Sequence, residues 1–164
     1  MSTVVSVQRL AGGKKGARLR LVADVQLAAE PEPLFTLLSD PRELNGLTPD
    51  WFHLDFLDPL PDRIGLGTRL RYRLRARRLR WRWESWIDHW EPVRRFSYVQ
   101  SRGPYRTFWH DHRFDPVPGG TRVRDVVDYA VWGGRPVNGL LVEPWLRDIF
   151  TYRGQRLADR FGEL

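Results

Sequence analysis

Cysteine is absent from this chain. Its absence excludes disulfide bonds and thiolate metal centres, and it fits a reducing compartment, so the cytoplasm is the expected location. Long apolar runs are also missing. No window approaches the ~18 apolar residues of a membrane helix, and the N-terminal Met-Ser-Thr-Val-Val-Ser-Val-Gln-Arg-Leu is too polar for a signal peptide. Lysine occurs only at Lys14 and Lys15, so nearly all of the positive charge behind the net +7 is arginine. An excess of that kind admits an anionic partner, although an arginine-biased genome produces the same count. No internal repeat, low-complexity stretch or linker divides the chain. What is present is a globular composition: 164 residues, 41% apolar, with eight Trp and eight Phe. That is enough for one core burying roughly two thirds of the unfolded surface.

Residues 1–17 contain a turn-like break at Gly12, Gly13 and Gly16 and are expected to be an N-terminal arm or an edge strand; they are treated as a tail. Residues 18–164 are read as one domain. Arg18 to Leu27 alternates in the manner of a first strand. Glu30-Pro31-Glu32-Pro33 then opens a short helix with Leu34, Phe35, Leu37 and Leu38 on its apolar face. A second short helix is expected from Pro41 to Leu47. From Phe52 onward the period is two. Leu70, Tyr72 and Leu74 alternate with Arg69, Arg71, Arg73 and Arg75, and Trp81, Trp83, Ser85 and Ile87 alternate with Arg80, Arg82, Glu84, Trp86 and Asp88. Gly65-Leu66-Gly67 reads as a hairpin turn rather than a phosphate loop, because no helix pattern follows it. At the end of the chain Leu146, Ile149, Phe150, Arg153, Leu157 and Phe161 recur at three and four, the stripe of a long helix. Pro144 either starts that helix or interrupts a turn beginning near Asn138.

The most informative stretch runs from Gly103 to Tyr129 as two strands around Pro118-Gly119-Gly120. Phe108, His110, His112 and Phe114 share one face, and Trp109, Asp111 and Arg113 the other. Folding the hairpin brings the two histidines near Asp125 and Tyr129. A carboxylate beside an imidazole fixes its tautomer and raises its basicity, as general acid-base chemistry or recognition of a polar head group requires. The same four residues can equally form a self-satisfied buried cluster. The expected architecture is α+β: a curved antiparallel sheet of about seven strands wrapped around a long C-terminal helix, with two short helices after the first strand. A cavity of ~300–1,000 Å³ between sheet and helix would suit a small molecule.

Several phrases carry a family resemblance: Gly103-Pro104-Tyr105, Phe108-x-His110-x-His112-x-Phe114, Gly119-Gly120-Thr121, Asp125-x-x-x-Tyr129 and Ile149-Phe150-x-Tyr152-Arg153. Together with the element order they resemble the START/Bet v 1-like superfamily, and within it the bacterial ligand-binding branch called polyketide cyclase/dehydrase-like or cell-division-inhibitor-like. The resemblance implies a helix-grip fold with a deep pocket for an apolar ligand. The chain departs from that pattern at Tyr98, where the resemblance implies a carboxylate.

The expected pocket residues are Tyr72, Trp83, Ile87, Phe96, Tyr98, Phe108, His110, His112, Tyr129, Phe150 and Arg153. Arg153, on the apolar stripe of the last helix, can clamp a ligand carboxylate or phosphate, but a structural pairing with Asp125 is the favoured expectation. The main functional expectation is non-enzymatic binding, transport or sensing of a small apolar ligand of lipid-like, polyketide-like or aromatic type. A cyclase or dehydratase is the enzymatic alternative, with His110 or His112 as base and Asp125 orienting it. A third reading uses the arginine-rich sheet face on RNA or another anion; cross-strand salt bridges from Glu84 and Asp88 would make that face merely solvated. No cofactor and no metal is expected: His110 and His112 can share a face, but a good site needs three or four ligands, and only Asp125, His53 or His89 could join them.

Overall fold

The computed structural model describes residues 3–164; Met1 and Ser2, the start of the expected arm, lie outside the described residues. Eight antiparallel strands form one sheet in the order β1-β2-β8-β7-β6-β5-β4-β3. They are β1 (Val4–Arg9), β2 (Leu19–Leu27), β3 (Phe52–Phe56), β4 (Arg69–Ala76), β5 (Leu79–Glu91), β6 (Arg95–Arg102), β7 (Tyr105–Val117) and β8 (Gly120–Val131). The helix α1 (Pro31–Ser39) and a 3-10 helix (Pro41–Leu47) separate β2 from β3. After β8, a short helix α2 (Gly134–Val137), a π turn (Asn138–Val142) and the long helix α3 (Glu143–Phe161) follow without a break.

The eighth strand comes from the stretch treated as a tail. Val4, Val5 and Val7 suit a strand, and they pair with Asp24, Ala23 and Leu21 of β2. The chain between β1 and β2 turns tightly over the outer sheet face, where the Lys14 ammonium lies 4.1 Å from the Trp109 ring. Trp109, Val99 and Val126 form a small buried cluster on that side. Pro144 is a residue of the first turn of α3, within a helical run that continues from the π turn. The turn before it widens to π spacing, which makes room for a ring that would otherwise meet the carbonyl four residues back.

Register irregularities between β5 and β6, at Glu84/Ser85 and Ile87/His89, bend the sheet. The curled inner face meets α1 and α3 in two buried clusters. One gathers Leu27, Leu34, Phe35, Phe96, Phe114 and Leu157. The other gathers Leu21, Tyr72, Trp83, Phe108, Tyr129 and Phe150. Near the start of the chain Gly154 is what allows close approach, since a Cβ there would collide with the side chain of Thr3. On the outer face, charged forks staple neighbouring strands. Arg20 grips Asp128 at 2.7 and 2.8 Å, and Asp111 lies between Arg95 and Arg113, each at 2.7 Å.

Candidate functional site

The site follows from strand register. Pairing of β6 with β7 sets Tyr98 opposite His110 and Phe96 opposite His112. Pairing of β7 with β8 sets His112 opposite Asp125. All of these side chains share the inner face, so three adjacent strands supply a compact polar group within an aromatic wall. Phe96 stacks on the His112 ring, with centroids 4.3 Å apart. From the opposite side α3 brings Phe150 edge-on to His110 at 5.3 Å and places Arg153 one turn further on, its guanidinium 5.1 Å from the Phe150 ring.

Within this group Tyr98 Oη lies 2.7 Å from His110 Nδ1, and His110 Nε2 lies 2.9 Å from Asp125 Oδ1. Asp125 is held ionised. Burial pushes its carboxyl up, but the adjacent His112 and the hydrogen bond from His110 outweigh that and keep it well below the usual carboxylate range. An ionised Asp125 can only accept, which assigns the proton to His110 Nε2 and leaves Nδ1 to accept from the Tyr98 hydroxyl. The result is a relay, Tyr98 to His110 to Asp125. Burial is the main cause that lowers the pKa of His110 to about 3, with His112 acting in the same direction and Asp125 against it. The imidazole is therefore neutral at pH 7. His112 Nδ1 lies 2.6 Å from the same Asp125 oxygen but outside hydrogen-bond alignment.

Each ligating atom of His110, His112 and Asp125 lies within 4.8 Å of the others. Two nitrogens bound to one zinc ion at ~2.0–2.1 Å would stand roughly 3.3 Å from the carboxylate oxygen in a tetrahedral set. Here that oxygen is already in contact with both rings. The three residues thus contact one another, and a metal would have to pull the carboxylate off both histidines.

Beside the cluster lies a cavity of about 110 Å³ at the junction of the two buried clusters. This is smaller than the expected 300–1,000 Å³, because Trp83, Tyr105, Tyr98 and Phe108 turn their rings into the interior: Trp83 and Phe108 pack edge-on at 5.0 Å, and Tyr105 and Phe108 lie tilted at 4.8 Å. Tyr72, Trp83, Ile87, Phe96, Tyr98, Phe108, His110, His112, Phe150 and Arg153 all line it. Asp125 stands behind the histidines. Tyr129 is placed elsewhere: its hydroxyl donates to Asn138 Oδ1 at 3.0 Å, and Asn138 in turn donates to Glu143. That network ties β8 to the start of α3.

The expected pairing of Arg153 with Asp125 does not form. Asp125 is taken by the histidines of the neighbouring strand, and Arg153 has no carboxylate within ion-pair distance among the described residues. Sequence reading missed Ser85 and Tyr105 in the wall and the cover supplied by Leu38, Pro41 and Leu44. The alternation of β5 already put Ser85 on the inner face; the cover depends on tertiary docking of the short helices. Asn45 fixes that docking, its side-chain amide exchanging two 2.9 Å hydrogen bonds with the backbone of Leu54.

On the outer face, β4 and β5 place Arg73 opposite Arg82 and Arg75 opposite Arg80. The salt bridges expected of Glu84 and Asp88 do not form. Glu84 accepts from Ser101 and Asp88 from Ser97, while Arg71 is gripped instead by Asp58 from the preceding loop at 2.6 and 2.7 Å.

Residues 18–162 match the family described as polyketide cyclase / dehydrase and lipid transport. The chain belongs to that family. Solved structures agree on the helix-grip fold of the START/Bet v 1-like superfamily. Protein CV1439 from Chromobacterium violaceum is 18% identical, covering 88% of this chain and 99% of its own, with a TM-score of 0.66. TTHA0849 from Thermus thermophilus is 21% identical, covering 85% and 92%, with a TM-score of 0.60. Ara h 8.0201 is 14% identical, covering 85% and 97%, at 0.57. A search of curated proteins finds no match. At these identities the likeness concerns the fold, and family membership suggests an apolar ligand without naming one. No helix among the described residues is long and apolar enough to cross a membrane.

Proposed function

We propose that this chain is a non-enzymatic binding protein of the cytoplasm that carries or senses a small apolar molecule, held between the sheet and α3 by the domain of residues 18–164. The observation that carries this reading is the uneven polarity of the interior. Its wall is mostly aromatic and aliphatic; scattered hydroxyls such as that of Ser85 apart, its polar groups are those of Tyr98, His110, His112 and Arg153. Apolar burial at ~25 cal/mol per Å² would drive binding, and those few polar groups would set orientation. With about 110 Å³ free, the ligand is compact, or it enters by displacing the ring of Phe108 or Tyr105. Native mass spectrometry of protein purified without denaturation tests the reading. A bound species released on unfolding is expected; protein that carries nothing and shows no change in tryptophan fluorescence with any small apolar compound would sink it.

The catalytic alternative has weaker support. Both ring nitrogens of His110 are engaged within the protein, so a substrate proton could reach it only through the Tyr98 hydroxyl, whose pKa burial pushes well up. The anion-binding reading draws on one specific observation, the two directly opposed arginine pairs on β4 and β5. Like charges placed opposite one another cost stability, and a polyanion such as single-stranded RNA would relieve that repulsion.

A further inference from the structure

We propose that the ligand of this cavity carries a carboxylate and that the guanidinium of Arg153 is its binding group. The inference rests on the ligand-binding reading above and adds the chemical class.

Arg153 is only 6% exposed. Its Nε is buried without a hydrogen-bond partner, and its side chain lines the cavity. Among the described residues no carboxylate pairs with it; the nearby Asp125 oxygen is occupied by two histidines. Lysine could escape such a position by losing its proton, but arginine remains charged. A buried charge without a counter-ion is strongly unfavourable, and the Phe150 face supplies only the modest compensation of a cation-π contact. The one thing this position lacks is a pair of anionic acceptors matching the planar fork, and a carboxylate presents them in that geometry.

The surroundings agree. Tyr98 and Arg153 border the same cavity, and the arginine charge is felt at the Tyr98 hydroxyl more strongly than that of Asp125. The small free volume limits the remainder of the ligand to a ring or a short chain beside Phe150 and Phe108.

Matched pairs of probes separate charge from shape. Benzoate and 2-naphthoate, each against its primary amide, are titrated into the wild-type protein at pH 7 by isothermal calorimetry. The acids are expected to bind about tenfold or more tightly than the amides. Arg153→Met should remove that preference while leaving amide binding within about twofold, and it should raise the melting temperature of the ligand-free protein, because an unpaired buried charge has been replaced by an apolar chain of similar length. Amides that bind wild type as tightly as the acids would overturn this inference and leave the cavity reading standing. A lowered melting temperature for Arg153→Met would assign the arginine a structural role and overturn it as well. If none of the four probes binds, the cavity reading fails and takes this inference with it. The wild-type comparison of acid with amide decides the question even if the variant does not fold.

Discussion

His110 commits both ring nitrogens inside the protein, and this has a consequence for stability. Its native pKa is lowered to about 3, chiefly by burial, whereas an unfolded histidine titrates near 6.5. Between those values the unfolded chain takes up a proton that the native chain refuses, so stability falls as pH drops through that window. Asp125 acts lower on the scale. Its native pKa lies below the ordinary carboxylate range, so its contribution is complete above about pH 4 and is lost as pH falls further. The urea midpoint of the wild type is therefore expected to decline from pH 6.5 to 4.5. His110→Gln, which retains a donor and an acceptor but does not titrate, should flatten that slope. An unchanged slope in the variant would move the acid sensitivity to another group. At this scale the sequence was informative where register decides neighbours: period two alone put Phe108, His110, His112 and Phe114 on one face. It was not informative for Arg153, because the competition for Asp125 is settled by which residues stand opposite it on β7, and a helix face cannot be docked against a strand from spacing alone.

Among the elements, the β4-β5 hairpin places like charges opposite one another on its outer face, only partly offset by Asp55 of β3 opposite Arg73. Arg73 faces Arg82 and Arg75 faces Arg80, and the acids that alternation placed on the same surface turn instead to the serines of β6. Reversing one charge tests both what the hairpin costs and what it does. Arg75→Glu should gain an opposite-charge neighbour in Arg80 without facing an acid on β3, where His53 stands opposite, and stabilise the protein by about 0.2–1 kcal/mol, measured by chemical denaturation. If the face serves a polyanion, the same variant should bind a single-stranded RNA oligomer more weakly, with a shallower dependence on salt. Stabilisation with no RNA binding by either protein would leave the arginines as a solvated surface. The helices and the strands from β2 onward were legible because their hydrophobic periods are long. β1 was legible only as one of two alternatives, an arm or an edge strand, since six residues followed by a glycine-rich turn gain their strand character only from the exposed edge of β2.

Across the whole molecule, the interior is nearly filled by its own aromatic rings, and the fold is a container only to the extent that those rings can be displaced. Phe108 is the central one. It is 6% exposed and packs against Trp83 and Tyr105 on the wall of the cavity. Pattern could name it as an inward residue, but helix-grip core and pocket wall occupy the same face, so how much space lies between them was visible only after packing. Phe108→Ala removes a ring that adjoins existing free volume, which is expected to lower stability by about 3–5 kcal/mol. In a chain of this length that corresponds to a melting temperature reduced by roughly 6–20 °C. The enlarged space is apolar, and a compound that fills it binds the native state alone and restores stability in proportion to its occupancy. Indole at millimolar concentration should therefore raise the melting temperature of Phe108→Ala by several degrees more than it raises that of the wild type, as read by near-ultraviolet circular dichroism. Equal shifts in the two proteins would mean that the ring does not control access to the cavity, and that a larger ligand must instead open the cover formed by α1 and the 3-10 helix.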